Sequence, residues 1–218
     1  MRCLLLGLTL LCLPLFAVAE DAPASKPPKG FTSLFNGKDL TGWKVHNGKL
    51  ESWSADKDKG LLFVKGGGGG WLMTEKEYAN FELRLEFKVP KNGNSGVALR
   101  SPMKGDPAYT GMEIQILDDP SYKDLQKWQA TGSIYGVVAA SKVPTKPVGE
   151  WNSYRIVCNG RKVTIELNGE KVVDADLDDH VKKHAESHPG ILRKTGHLGL
   201  QEHGGRVEFR NLYVKELP

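Results

Sequence analysis

The segment 81–89 constrains the fold more than any other part of this 218-residue chain. Its five odd positions are apolar, and its even positions carry Glu82, Arg84, Glu86 and Lys88. A period of two places alternate side chains on opposite faces of a β-strand. The segment therefore predicts a strand with one face in the core and the other in water.

Three further segments, 154–158, 162–167 and 170–173, are separated by the pairs Asn159-Gly160 and Asn168-Gly169. Asn-Gly supplies the positive φ angles that a two-residue type I′ turn requires. The pattern predicts a three-stranded antiparallel meander.

The last apolar segment, 206–215, changes parity in its middle, because Val207 and Phe209 are odd while Leu212 and Val214 are even. A bulge near residues 210–211 would return both pairs to the core. Weaker patterns predict strands at about 49–53, 60–64, 94–100, 110–117 and 197–203, and short helical turns within 125–129 and 177–186. Many short strands with turn signals favour an antiparallel sandwich or barrel.

The N-terminus predicts export. Arg2 precedes an apolar run over residues 4–18 that ends in Ala17-Val18-Ala19, which is typical of a secretory signal peptide cleaved after Ala19. We assign 1–19 to the signal peptide, 20–30 to a flexible, proline-containing leader and 31–218 to one domain. The mature protein is expected to be secreted or periplasmic.

Composition argues against several other classes. Cleavage removes Arg2 from the 30 Lys and Arg, leaving 29 against 26 Asp and Glu with the signs interspersed, which does not favour nucleic-acid binding. No later segment is apolar enough to span a membrane. Of the three cysteines only Cys158 follows the signal, so no intramolecular disulfide is expected.

Three predicted strands share an unusual face that mixes small residues with hydrogen-bonding ones. This set contains Asn94, Gly96, Ala98 and Arg100, then Gly111, Glu113, Gln115 and Leu117, then Gly199, Gln201 and His203. Glycine within a strand marks close approach by a ligand or another backbone, and these polar groups suit a hydroxyl-rich ligand such as a sugar. The alternative is an ordinary solvated face, with Arg100 and Glu113 as a cross-strand ion pair.

Other motifs are weaker. The five glycines at 66–70 lack the Gly-Lys-Ser/Thr of a phosphate loop and predict a flexible loop beside Trp71. His180, His184 and His188 are spaced by four residues, but they lack the metalloprotease glutamate and favour a solvated segment. Five aromatic residues are candidates for stacking on a sugar, although each alone favours core or rim packing: Trp53, Trp71, Tyr109, Trp128 and Tyr135.

Several short motifs, in order along the chain, resemble one family. They include Leu34-Phe35-Asn36-Gly37, Leu40-Thr41-Gly42-Trp43, Asn94-Ser95-Gly96, Glu113 with Gln115, Thr131-Gly132, Tyr135-Gly136, Glu150-Trp151-Asn152, Gly199-Leu200-Gln201 with His203, and Val207-Glu208-Phe209-Arg210-Asn211. Over about residues 30–217 the sequence is similar to the 3-keto-disaccharide hydrolase domain family. The resemblance implies a concanavalin-A-like jelly-roll sandwich of two antiparallel sheets. It also implies cleavage of 3-keto-glycosides that a separate sugar 3-dehydrogenase supplies.

The chain departs from the related laminarinase-type glycosidases, which carry E-x-D-x-x-E on one strand. Here Glu113 and Asp118 stand where the outer carboxylates would be, and their odd separation places them on opposite faces of a regular strand. The pair about 5–5.5 Å apart that retaining glycosidases use is therefore not expected from this strand.

A 3-keto group offers another route, because it acidifies the C2 proton and permits β-elimination of the C1 substituent. Glu113, His203 and Arg100 are the predicted catalytic residues, with Glu113 or His203 as the base and Arg100 at the C3 oxygen. The predicted substrate-binding residues are Asn94, Gln115, Asp118, Tyr135, Gln201, Tyr109 and Trp71. Asp118 could instead have one of two other roles. It could orient the side chain of Arg100 or His203, or it could only cap its strand.

No cofactor and no metal ligands are predicted, although a divalent cation on the keto oxygen is left open. Two other functions also remain open. One is a non-catalytic carbohydrate-binding module with the same face, and the other is a laminin-G-like structural domain whose polar face is merely wet.

Overall fold

The computed structural model describes residues 25–67 and 69–218, in which thirteen β-strands form two antiparallel sheets. The strands are β1 (Thr32–Ser33), β2 (Trp43–His46), β3 (Trp53–Asp56), β4 (Leu61–Val64), β5 (Gly70–Tyr78), β6 (Phe81–Lys88), β7 (Asn94–Ser101), β8 (Met112–Leu117), β9 (Trp151–Asn159), β10 (Lys162–Leu167), β11 (Glu170–Asp176), β12 (Gly196–Glu202) and β13 (Glu208–Glu216). The larger sheet has the order β11-β10-β9-β6-β13-β4-β3, with β1 also paired to β13. The smaller sheet has the order β2-β5-β12-β7-β8. The predicted jelly-roll sandwich of two antiparallel sheets is confirmed.

Helix is scarce in this part of the chain. The two short α-helices are α1 (Pro107–Thr110) and α2 (Asp178–His184), and 3₁₀ turns cover Leu50–Ser52, Asp119–Ser121, Lys127–Gln129 and Pro189–Leu192. α1 lies in the connection between β7 and β8, where it covers part of the outer face of the smaller sheet.

The strands predicted from clear periodicity are present. β6 alternates buried apolar and half-buried charged residues along its whole length, and β9, β10 and β11 form the expected meander. Asn168 and Gly169 both have positive φ, as a type I′ turn requires. In the other hairpin Lys162 pairs with Asn159, so the loop is Gly160-Arg161 and only Gly160 has positive φ, the pattern of type II′ rather than type I′.

The predicted bulge in β13 is confirmed by a register shift against β6 between Arg210 and Tyr213, with Asn211 at φ +55°. The shift leaves Phe209 and Leu212 both buried despite their opposite parity. β1, β2 and β5 were not predicted, and the strand predicted at about 49–53 is a 3₁₀ turn over Leu50–Ser52, with β3 beginning only at Trp53. Residues 71–74 of β5 are all buried, because other parts of the chain cover both faces of this strand, and such a strand shows no alternation.

One apolar cluster between the sheets receives side chains from both, including Leu72, Leu85, Ile114 and Ile156. Cys158 also lies in this cluster as a free thiol, and burial raises its pKa to about 12. No helix in the described ranges has the length and apolar character needed to cross a membrane. The predicted signal peptide and residues 20–24 of the predicted leader lie outside the described residues.

Candidate active site

The register of the smaller sheet brings the predicted polar side chains together on its outer face. Gly199 of β12 pairs with Ala98 of β7, and Ala98 pairs with Glu113 of β8. In the neighbouring row Gly96 pairs with Gln115. Directly paired residues of antiparallel strands project to the same side, so these residues form one surface. Gln201 lies two residues beyond Gly199 and projects to that side as well.

Glu113 is the most unusual side chain on this face. Its side chain is only 3% exposed, and its Oε1 atom has no hydrogen-bond partner among the described residues. A Cβ atom on Gly96 would lie 2.0 Å from Oε1, so the absence of a side chain at this position makes room for the carboxyl. Burial, and secondarily the charge of Asp106, raises the pKa of Glu113 to about 8. The carboxyl is therefore mostly protonated at neutral pH.

A chain of hydrogen bonds fixes the amide and imidazole groups next to it. The Nε2 atom of Gln115 donates to the backbone carbonyls of Ser95 and Ile116, each at 3.3 Å, and to Oδ1 of Asn94 at 2.9 Å. Carbonyl oxygens only accept, so they set the orientation of both amides. Nδ2 of Asn94 then donates to Nδ1 of His203 at 3.2 Å. Neutral His203 therefore carries its proton on Nε2 and presents that N–H as a donor.

These side chains line a pocket of about 140 Å³ together with residues from two connections. Asp106 caps α1 through the bond from the Ala108 amide to Oδ1, at 3.0 Å, and also faces the pocket. Ala108 packs with Trp71, Met73 and Ala98, which fixes α1 on the sheet.

Tyr109 and Tyr135 form the aromatic wall of the pocket, with ring centroids 6.4 Å apart in an edge-to-face arrangement. The backbone amide of Tyr135 donates to the Glu113 carbonyl at 2.9 Å, so this wall is attached to β8. Tyr109 also packs against His188 at 5.1 Å, and Tyr135 against Trp128 at 5.2 Å.

The structure brings seven of the predicted site residues together. They are Asn94, Tyr109, Glu113, Gln115, Tyr135, Gln201 and His203. Trp71 pairs with Gln201 on the same face, but it is only 3% exposed, lies against Ala108 and does not line the pocket. Its predicted contact with substrate is therefore not supported by its position.

The predicted position of Arg100 is wrong. Between the pairs Ala98–Gly199 and Ser101–His197, β7 has one more residue than β12, and Arg100 adopts φ +49° in this bulge. Its side chain is directed away from the pocket and is 1% exposed. Nε donates to the Ala79 carbonyl and Nη1 to the Gly160 carbonyl, each at 2.8 Å, and Nη2 lies 3.4 Å from Oδ1 of Asn80. Arg100 joins the β5–β6 turn to the β9–β10 turn and has no position from which to hold a C3 oxygen.

Asp118 also lies away from the pocket, so its position does not support the predicted contact with substrate. Its Oδ2 atom accepts from the Asn92 amide at 2.9 Å and from Oγ of Ser121 at 2.5 Å, which is the strand-capping alternative. Asp118 lines a larger cleft of about 430 Å³ with Asp119, whose carboxylate is bonded to Thr131. Both carboxylates of that cleft have protein partners, whereas Oε1 of Glu113 has none among the residues described.

Sequence reasoning missed the role of residues on the connections. Asp106-Pro107 is a helix-start signature, but no strand periodicity links it to Glu113. His188 was assigned to a solvated segment, yet it is 8% exposed, and its Nε2 atom is unpartnered within the described structure and lies against Gly136. Among the described residues no group of three or more His, Cys, Asp or Glu side chains is placed to hold a metal ion.

The sequence and the fold of this chain are similar to those of several known proteins. The family model described as the 3-keto-alpha-glucoside-1,2-lyase-like domain matches residues 30–215. A 3-keto-disaccharide hydrolase of Bacteroides thetaiotaomicron is 29% identical over 228 residues, covering 86% of this chain and 79% of that protein.

Two solved structures from Parabacteroides distasonis, each provisionally called a glycosyl hydrolase, are also similar. One is 31% identical with a TM-score of 0.75, covering 87% of this chain and 94% of its own. The other is 30% identical with a TM-score of 0.72, covering 86% and 99%. A carbohydrate-binding module of Bacillus subtilis, 15% identical with a TM-score of 0.53 over 81% and 96% of the two chains, shares the fold alone. Since the family model spans most of the sequence, this chain belongs to the 3-keto-alpha-glucoside-1,2-lyase-like domain family.

Proposed function

We propose that this chain cleaves the glycosidic bond of 3-keto-glycosides by eliminating the C1 substituent and then adding water. The observation that carries the proposal is the carboxyl of Glu113, which is buried at the pocket and whose Oε1 has no hydrogen-bond partner in the part of the chain that the structure describes. Buried structural carboxylates are normally hydrogen-bonded or paired, and a strongly raised pKa in a cleft is typical of groups that transfer protons.

The chemistry balances without an external reactant other than water. The base removes the proton from C2, and its electron pair is delocalised onto the C3 oxygen as an enolate. The enolate re-forms the ketone as the C1–O bond breaks, and the leaving oxygen takes up a proton. Water then adds across the resulting C1=C2 bond, with the hydroxyl at C1 and hydrogen at C2, so the net reaction is hydrolysis.

The arrangement of the side chains supports Glu113 as the base. Its raised pKa makes the ionised form a stronger base, whereas Nδ1 of His203 is already engaged by Asn94. His203 would donate its Nε2–H to the C3 oxygen together with the Gln201 amide. The phenol of Tyr109 or Tyr135, which also line the pocket, would supply the proton for the leaving oxygen.

The test compares a chromogenic 3-keto-glucoside with its unoxidised parent. We expect the wild-type chain to cleave only the keto substrate, and Glu113→Gln to reduce kcat/KM by about 10²–10⁴-fold, since proton transfer by a positioned group contributes that much. Glu51→Gln, at an exposed glutamate, is the matched control. In D₂O, substrate recovered before completion should carry deuterium at C2 if proton removal is reversible.

Two outcomes would reject this proposal. Wild-type turnover by folded Glu113→Gln protein would remove Glu113 from catalysis. Binding of unoxidised glycan without turnover of the keto-sugar would favour a non-catalytic carbohydrate-binding module.

The pH dependence separates the two roles open to Glu113. If Glu113 is the base, kcat/KM should rise with pH through an apparent pKa near 8, because the ionised form is the active one. If Glu113 is the acid, kcat/KM should fall over the same pH range. An assay after chelation, and again after adding back divalent ions, tests whether the keto oxygen needs a cation.

The proposal extends to the setting of the reaction. The substrate must come from an enzyme that oxidises the C3 hydroxyl of a glycoside, that is, a sugar 3-dehydrogenase. The signal-like composition of residues 1–19 supports export to the periplasm or the medium. Fractionation of cells that express the full chain tests this location.

A further inference from the structure

The aromatic rim beside the pocket is formed by Tyr109, Tyr135 and Trp128, and the indole of Trp128 has no role in the proposed bond cleavage. We infer that Trp128, with Tyr135, binds the leaving group of the substrate and prefers a second sugar ring or another ring-shaped aglycone. This inference rests on the proposed function, because it assigns a subsite to the same substrate.

The size of the pocket is the first argument. Small-molecule sites commonly span roughly 300–1,000 Å³, whereas this pocket has about 140 Å³. A pocket of this size is too small to enclose a whole disaccharide. Part of such a substrate would therefore extend past the pocket to its rim.

The composition of that rim is the second argument. Tyr109 and Trp128 are 41% and 38% exposed, and both rings pack edge-to-face on the less exposed Tyr135. The rings thus form one continuous aromatic surface from the pocket wall to the protein surface. Aromatic faces of this kind bind the apolar C–H faces of sugars as well as aryl groups.

The rigidity of the turn that carries Trp128 is the third argument. Two hydrogen bonds join Gln126 and Gln129 across the 3₁₀ turn Lys127–Gln129. The backbone N–H of Gln126 donates to the side-chain Oε1 of Gln129 at 3.0 Å, and the backbone N–H of Gln129 donates to the backbone carbonyl of Gln126 at 2.8 Å. The fully buried Ser133 donates from Oγ to the Lys127 carbonyl at 3.1 Å. An exposed indole on a braced turn is preorganised, which lowers the entropy lost when a ligand binds.

The experiment uses two substrates that share the reacting ring, a 3-keto-disaccharide and methyl 3-keto-glucoside. We expect Trp128→Ala to raise the ratio of the two KM values, disaccharide over methyl glycoside, about 3- to 10-fold, from the usual strength of aromatic contacts. Trp128→Phe should restore most of the wild-type ratio. Leu50→Ala, at a residue that is 57% exposed outside the rim, should leave the ratio unchanged.

A change of equal size for both substrates, or none for the disaccharide, would overturn the rim site. Calorimetric binding of the two glycosides in the Glu113→Gln background, with and without Trp128→Ala, measures the same preference without turnover. If the wild-type chain cleaves neither substrate, the proposed reaction fails. The binding ratio then still decides whether the rim holds the second ring.

Discussion

The carboxyl of Glu113 should make the stability of this chain depend on pH in a way that a substitution can remove. Its pKa is about 8 in the folded chain, against a reference value of 4.5 for a free glutamate. Below pH 4.5 both states are protonated, so burial of the charge has no effect. Between pH 4.5 and 8 the unfolded chain releases the proton while the folded chain keeps it, so stability falls as pH rises and levels off above pH 8.

The size of the effect follows from the difference between the two pKa values. One pH unit corresponds to about 1.36 kcal/mol, so Glu113 lowers the free energy of unfolding by about 3 kcal/mol at pH 7 and about 4 kcal/mol at pH 8, where the carboxyl of the folded chain is itself half ionised. Glu113→Gln keeps the shape of the side chain and removes its titration. The variant should gain these amounts and should melt roughly 6–12 °C higher at pH 7, at about 2–4 °C per kcal/mol for a chain of this size.

Urea unfolding followed by tryptophan fluorescence at pH 4.5, 7 and 8 measures the gain. The urea m-value should be the same for both proteins, since the folded structure is retained. Glu51→Gln, at an exposed glutamate, should show no such gain. An equal gain at pH 4.5 and 8, or no gain at either, would refute the argument that an uncompensated buried carboxyl is present.

Three further substitutions test the surroundings of this group. Gly96→Ala would place a Cβ 2.0 Å from Oε1 of Glu113, and displacing that carboxyl should lower kcat/KM about 10²-fold, while a thermal melt shows the fold intact. Asp106→Asn removes a charge that raises the pKa of Glu113, so the rise of kcat/KM with pH should move to lower pH, and a shift to higher pH would contradict this. Arg100→Met removes the charged donor of three hydrogen bonds and should destabilise the chain by about 3 kcal/mol or more, with KM unchanged for the protein that remains folded.

The fold was predictable from sequence wherever one strand face is buried and the other is wet. β6, β9 and β10 satisfy this condition, and their alternation is strong. β5 does not, because residues 71–74 are buried on both faces. A continuous apolar run of that length does not separate a central strand from other buried segments.

The site was predictable only where strands supply it. Glu113, Gln115 and Gln201 lie on β8 and β12, so their parity with core residues placed them on one face. Asp106 and Ala108 lie in the β7–β8 connection, and their position depends on how α1 folds back over the sheet. The local sequence does not encode how α1 folds back over the sheet, because packing between residues far apart in the chain sets the position of this helix.

The contrast between Arg100 and β13 shows when a bulge is visible in a sequence. In β13 apolar pairs stand on both sides of the bulge, so the change of parity at Asn211 is marked by Phe209 before it and Leu212 after it. In β7 the bulge comes at the end of the strand, where Arg100 is followed by Ser101 and Pro102 and no apolar residue records the change. Parity therefore assigned Arg100 to the pocket face, although the extra residue turns its side chain towards the Ala79 and Gly160 carbonyls. A polar residue at a strand end can be assigned to a face only when a core residue beyond it confirms the register.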